Sequence, residues 1–226
     1  MCYFESIGFV QEDAERANEY SANLQRASAQ AESRNLGEYL ETLEMVAQTA
    51  PFDAIGRPRI AQLINKSNQF NLTTRRYTEA DVAELEGDDD VFTLQVRLRD
   101  RFGDNGMISC IVCRPVGDTW EIDTWLMSCR VLGRRVEAVV LDEIVTAAKN
   151  NGVKALVGIF IPTGRNEMVR EHYGKLGFVK IEESETSTVW RLDLDNYEAP
   201  ELPIKVERKS AKPTTQNPNP SELLLP

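Results

Sequence analysis

The sequence predicts an α/β chain of the α+β kind: a mixed, mostly antiparallel sheet flanked by helices, with an N-terminal helical segment and a disordered C-terminal tail. Three observations carry this. Residues 91–127 hold three apolar runs separated by Gly- and Pro-containing turns, the mark of consecutive strands. Residues 120–178 then read strand, basic glycine-containing turn, helix, strand, helix. Residues 11–50 carry a helical period, and from residue 197 the chain has no period at all.

Each element has its own reason. Residues 11–31 are polar and Ala-rich, with Ala14, Ala17, Leu24 and Ala27 as a thin apolar stripe. Asn35 offers a helix cap, with Glu38 three residues on. Leu36, Tyr39, Leu40, Leu43 and Val46 or Ala47 follow at helical spacing, and Pro51 stops that helix. These two helices are too poor in apolar surface to stand alone and should dock on a neighbour. Residues 57–71 read as a third helix, with Pro58 in its first turn and Ile60, Leu63, Ile64 and Phe70 inward. Asn65, Asn68, Gln69 and Asn71 crowd its end, as a capped Asn-rich turn or a polar recognition surface. Thr78 caps a further helix that turns Val82 and Leu85 inward.

From Val91 the pattern changes to strands. Phe92, Leu94, Val96 and Leu98 alternate with polar residues. Gly103-Asp-Asn-Gly106 supplies hairpin chemistry, residues 107–112 return, and residues 120–127 make a third strand. Val136, Val139, Val140, Ile144, Val145 and Ala148 form the inward face of a helix that stops at Asn151-Gly152. Residues 153–161 are the next strand. Residues 179–181 and 188–194 close the sheet, and residues 196–226 read as a disordered tail.

Composition narrows the function. The net charge of −10 over 226 residues argues against wholesale binding of nucleic acid or membrane. No apolar run approaches the length of a membrane helix, and residues 1–6 do not read as a signal peptide, so a cytoplasmic location is expected. Cys110 and Cys113 stand as C-x-x-C, but one histidine is too few to complete a zinc set, so no metal is expected. On a strand the two cysteines face opposite ways and read as core thiols.

One local basic cluster stands out, Arg130-Val-Leu-Gly133-Arg134-Arg135-Val136. A helix N-terminus offers unpaired N–H groups and partial positive charge to a phosphate. Gly133 permits close backbone approach, and Arg130, Arg134 and Arg135 add charged donors. Downstream runs Asn166-Glu-Met-Val-Arg-Glu-His-Tyr173-Gly-Lys-Leu-Gly177-Phe178. His172 sits about 100° round the helix from Tyr173 and reads as a surface histidine. Cys129 borders the basic turn, as a small buried thiol or as a holder of an acyl thioester.

These two motifs resemble those of the GNAT acyltransferase family. Arg130-Val-Leu-Gly133-Arg-Arg135 matches its pyrophosphate turn, [Gln/Arg]-x-x-Gly-x-[Gly/Ala], except that Arg135 replaces the small residue. Asn166, Tyr173, Gly177 and Phe178 match its second motif. A narrower resemblance covers residues 1–195. The strings at 58–77, Asp100-Arg-Phe-Gly-Asp-Asn-Gly106 and Trp125-Leu-Met-Ser-Cys-Arg-Val-Leu-Gly133 are similar to the C-terminal half of FkbH-like proteins. That family joins a haloacid-dehalogenase-like (HAD) phosphatase domain to a GNAT-like domain and loads a glyceryl unit onto an acyl carrier protein for polyketide-type biosynthesis.

The resemblance implies residues 1–50 as a helical remnant of the phosphatase domain, 51–195 as the GNAT-like domain and 196–226 as tail. No Asp-x-Asp loop precedes residue 50, so phosphatase activity is not expected in this chain and a partner phosphatase chain becomes possible. It implies phosphopantetheine, on coenzyme A or an acyl carrier protein, as the cofactor. Pantetheine would pair with Leu126, Met127 and Ser128, and its phosphates would meet Arg130, Gly133, Arg134, Arg135 and Val136, with Asn166 nearby. Tyr173 would protonate the leaving thiolate, and Asp123 would be the base. The alternative is a carrier-protein docking module without catalysis.

Overall fold

The alternating runs pair as the sequence predicts, and two more strands join them. The structure, a computed structural model, describes residues 6–209. Helices Ser6–Glu32 (α1) and Leu36–Thr42 (α2) lead into strand Met45–Ala50 (β1), and helices Arg57–Lys66 (α3) and Glu79–Gly87 (α4) follow. Strands Phe92–Asp100 (β2), Gly103–Val116 (β3) and Thr119–Met127 (β4) form an antiparallel meander. Helix Val136–Asn150 (α5) leads to strand Ala155–Phe160 (β5) and a short helix His172–Lys175 (α6). Strands Val179–Glu183 (β6), Thr188–Asp193 (β7) and Ile204–Arg208 (β8) complete one eight-stranded sheet, ordered β6-β7-β5-β4-β3-β2-β1-β8. Only β4–β5 and β1–β8 pair parallel.

The sheet buries both faces. Along β3, Ile111 enters the larger core with α5 while Val112 enters a smaller core with α3 and α4. Cys113 and Cys110 divide the same way, and burial pushes both thiols above their usual pKa. Among the described residues no cluster of His, Cys, Asp and Glu is large enough to hold a metal ion. None of the described helices is long and apolar enough to cross a membrane.

Capping residues act as their spacing predicts. The Asn35 side chain accepts from the Glu38 amide, and Thr78 and Asp81 form a reciprocal capping box at the start of α4. The hairpin between β2 and β3 differs from expectation. It turns at Arg101 and Phe102, and Gly103 already pairs with Asp100.

Three segments differ more. The helix capped by Asn35 ends at Thr42 rather than at Pro51. Glu44 takes a left-handed φ of 49°, and Met45, Ala47 and Thr49 alternate inward as a strand. Leu43 and Ala47 stand four apart, so the strand's period of two overlaps the helical spacing of the residues before it. The expected tail contains β8, which pairs with β1, and the Arg208 guanidinium holds the Glu143 carboxylate of α5 at 2.6 Å. Strand formation there comes from an available edge rather than from composition. The rest of the expected tail, 210–226, and the first five residues lie outside the described residues. Finally, α3 stops at Lys66, and residues 67–77 form neither helix nor strand.

Candidate active site

The basic turn follows directly from β4. Cys129–Val131 makes a single 3-10 turn, Gly133 is exposed with φ 77°, and Arg135 enters α5 with φ 62° and no side-chain cap. Among the described residues nothing accepts from the amides of Val136 and Glu137, so the helix start stays open to an anion. Arg130 and Arg135 are exposed, and Arg130 pairs with Glu19 of α1.

Arg134 is a correction. Its side chain turns inward and donates to the buried Asp100 carboxylate at 2.9 Å. Asp100 also accepts two bonds from the Arg26 guanidinium, from Nε and one terminal nitrogen, each at 2.9 Å. Burial works to raise the Asp100 pKa, but the bonds from Arg26 and Asn105 outweigh it and hold the carboxyl below its usual value. Arg134 therefore anchors the turn to α1 and the hairpin, and is withdrawn from any phosphate.

Residues 67–77 explain why the expected pantetheine groove is filled. Strands β4 and β5 pair only as far as Ile122 and Gly158. Beyond that point residues 70–72 lie between them. The Leu72 amide donates to the Trp125 carbonyl at 3.2 Å, and the Met127 amide donates to the Phe70 carbonyl at 3.2 Å. On the other side the Ile161 amide donates to the Leu72 carbonyl at 2.8 Å. Phe70 and Leu72 are buried, and Phe70 meets the ring of His172 edge-on at 4.9 Å. The backbone of Leu126 and Met127 thus faces the chain's own wedge instead of a carrier. Val136 and both of these side chains are core. Ser128 is half-buried, and its amide is taken by the Ile108 carbonyl at 2.7 Å.

The remaining sequence-predicted residues brace this wedge. Asn166 is fully buried and donates to the carbonyls of Asn71 at 3.0 Å and Ile161 at 2.9 Å, so it meets no cofactor. Asp123 sits at a β-bulge, where the register shifts between Cys113–Ile122 and Val112–Thr124. Its carboxylate accepts from the Tyr77 hydroxyl at 2.6 Å and pairs with Arg75 at 3.1 Å and Arg114 at 3.4 Å. Both carboxylate oxygens are thus held by the chain's own donors, with Thr124 adding a bond at 3.0 Å. Tyr173 is 0 % exposed, and its hydroxyl has no hydrogen-bond partner. Burial, then Cys113 and Glu121, push its pKa well above the usual value. Its ring lies on Gly158, where an added Cβ would come within 2.4 Å. His172 is buried too, edge-on to the rings of Phe70 and Trp125, which corrects its reading as a surface histidine.

What stays open is a basic cleft of about 800 Å³ at the mouth of the wedge. Arg59, Lys66, Arg130 and Arg165 line it, with no acidic residue, and Cys129 stands on its rim as an exposed free thiol. The exposed Cys129 corrects the buried reading. Arg59, Lys66 and Arg165 come from α3 and from the loop after β5, remote in sequence from the basic turn. The Asn-rich stretch before residue 72 was the one visible sign that this region is unusual.

No protein-family model matches the chain, and no curated protein matches it. Solved structures do. The GNAT domain of S. lividans PAT is 16% identical, with a TM-score of 0.51 over 64% of this chain and 89% of that one. A ribosomal-protein alanine N-acetyltransferase from Escherichia coli is 12% identical, with a TM-score of 0.50 over 66% and 94%. An acetyltransferase of the GNAT family from Staphylococcus aureus is 8% identical, with a TM-score of 0.51 over 66% and 99%. Sheet order, crossover and these likenesses agree that the chain has the mixed α/β GNAT fold.

Proposed function

We propose that this protein is an acyltransferase that takes its acyl group from a phosphopantetheine thioester, carried by an acyl carrier protein or coenzyme A. The carrying observation is the acid-free basic cleft beside the open Gly133 turn. Arg59, Lys66, Arg130 and Arg165 suit a phosphate ester or the acidic surface of a carrier protein. The exposed Cys129 thiol is the group best placed to accept the acyl unit. Loading of a glyceryl-type unit for polyketide-type biosynthesis, alongside a HAD phosphatase chain, is the specific setting that the FkbH-like strings favour.

A second reading, a carrier-protein docking module without turnover, is favoured by the filled groove between β4 and β5 and by the buried Tyr173. Titration calorimetry with coenzyme A and holo carrier protein, coupled to a thioester-loss assay, separates the two. Transfer that disappears in Cys129→Ala supports the acyltransferase. Carrier binding that weakens in Arg59→Ala and Arg165→Ala without any thioester loss supports docking. Absence of binding by either carrier would refute both.

A further inference from the structure

The apolar stripe of α1 faces away from the rest of the molecule. The helix docks through Ala22, Arg26 and Ala29. Arg26 holds Asp100, and Glu19 holds Arg130. On the far side Ala17, Tyr20, Leu24, Ala27 and Ala31 are all exposed, Tyr20 at 68 % and Leu24 at 56 %. At 100° per residue these five lie within about 80° of arc, centred opposite Ala22. A single exposed apolar residue is ordinary, but a row of them on one line marks an interaction surface.

The spacing of the row defines what covers it. Steps of three, four, three and four residues are those of a coiled-coil seam, narrower than the face a helix turns to a globular core. The occupant is therefore another helix. The flanks say which one. Ser21, Asn23, Ser28 and Gln30 border the seam, and all four are exposed and uncharged. The charged residues of 17–32 lie off the seam: Glu19 and Arg26 turn to the body, and Glu32 accepts from Ser28. A helix chosen by opposite charge would find nothing to pair with at these flanks. An identical helix meets no like charge there, although the whole chain carries a net −10.

Side-chain size sets the orientation. Run antiparallel, two seams place Tyr20 against Ala31 and Leu24 against Ala27, so every such layer joins a large side chain to a small one. Run parallel, they would stack Tyr20 on Tyr20 and leave alanine facing alanine across a gap. We propose that two copies of this chain pair antiparallel through the outer face of α1. Each body then lies on the side of its own helix away from the seam. Residues 17–31 span about 22 Å, short for an interface, so the dimer forms with rising concentration.

Sedimentation velocity of the full chain from about 1 µM to about 500 µM tests this. Wild type should pass from monomer to dimer. Leu24→Glu should weaken association at least about tenfold, because it buries an uncompensated charge in the seam. Thr186→Glu, an equal charge on the exposed turn between β6 and β7, should leave association unchanged. Leu24 is exposed in the monomer, and far-UV circular dichroism reports whether the variant keeps its helices. Adding Ala27→Lys to Leu24→Glu should recover association, since residue 24 of one copy faces residue 27 of the other; in a parallel pair the same double change would set like charges together and weaken it further. Wild type that stays monomeric throughout would overturn the pairing and leave the seam to a helix of a different chain. A dimer that Leu24→Glu leaves intact, or that Thr186→Glu disrupts equally, would overturn it too. Failure of the double variant to associate more tightly than Leu24→Glu would overturn the antiparallel arrangement.

Discussion

Asp100 shows how one carboxylate can hold three elements. It joins Arg26 of α1, Arg134 before α5 and the hairpin amides of Phe102 and Gly103. Asp100→Asn leaves two buried guanidiniums facing each other and should cost about 3–5 kcal/mol in chemical denaturation. The sign of the pH dependence follows from its lowered pKa. Its stabilisation is complete above the usual aspartate pKa of about 3.9 and fades as pH falls through the lower folded-state value. Denaturation midpoints between neutral and strongly acid pH should fall in wild type, and the variant should lack that component. Tyr173 carries the opposite expectation. Its hydroxyl is buried without a partner, so Tyr173→Phe should be neutral or stabilising by about 1 kcal/mol in thermal unfolding. Thioester turnover should survive it, contrary to the acid role that the motif implies.

At the scale of elements, residues 70–73 behave as core although they lie in a loop. Leu72 is 0 % exposed, so Leu72→Ala should cost about 2–5 kcal/mol, where an ordinary surface-loop change stays within about 0.5 kcal/mol. Urea titration distinguishes the two. This segment also marks the limit of what a sequence displays. Phe92, Leu94, Val96 and Leu98 show their strand because alternation is local, and Val136 to Ala148 show their helix for the same reason. Thr78 and Asp81 show a cap because both partners lie within one turn. Phe70 and Leu72 depend on Trp125 and Ile161, and Asn166 reaches Asn71 across 95 residues. No local period encodes such a meeting. The same holds for Arg134, whose inward turn depends on Asp100, and for β8, whose strand state depends on the free edge of β1.

Across the whole molecule the charge is uneven. A net −10 surrounds one cleft whose charged lining is wholly basic. Carrier or phosphate binding there should weaken steeply as salt rises from about 0.05 to about 0.5 M, because the screening length shrinks several-fold. Calorimetry across that range checks it, and a flat response would place binding elsewhere. The basic turn, its flanking strands and helix were readable in the sequence, but the cleft was not, since Arg59, Lys66 and Arg165 meet Arg130 only after the sheet closes.

The wedge between β4 and β5 has a kinetic consequence. Residues 70–73 can be seated only after both strands are in position, and the contacts they make across the sheet span 50 to 95 residues. Seating should therefore come late, after the rate-limiting barrier to folding. In stopped-flow experiments Leu72→Ala should accelerate unfolding while leaving the refolding rate nearly unchanged.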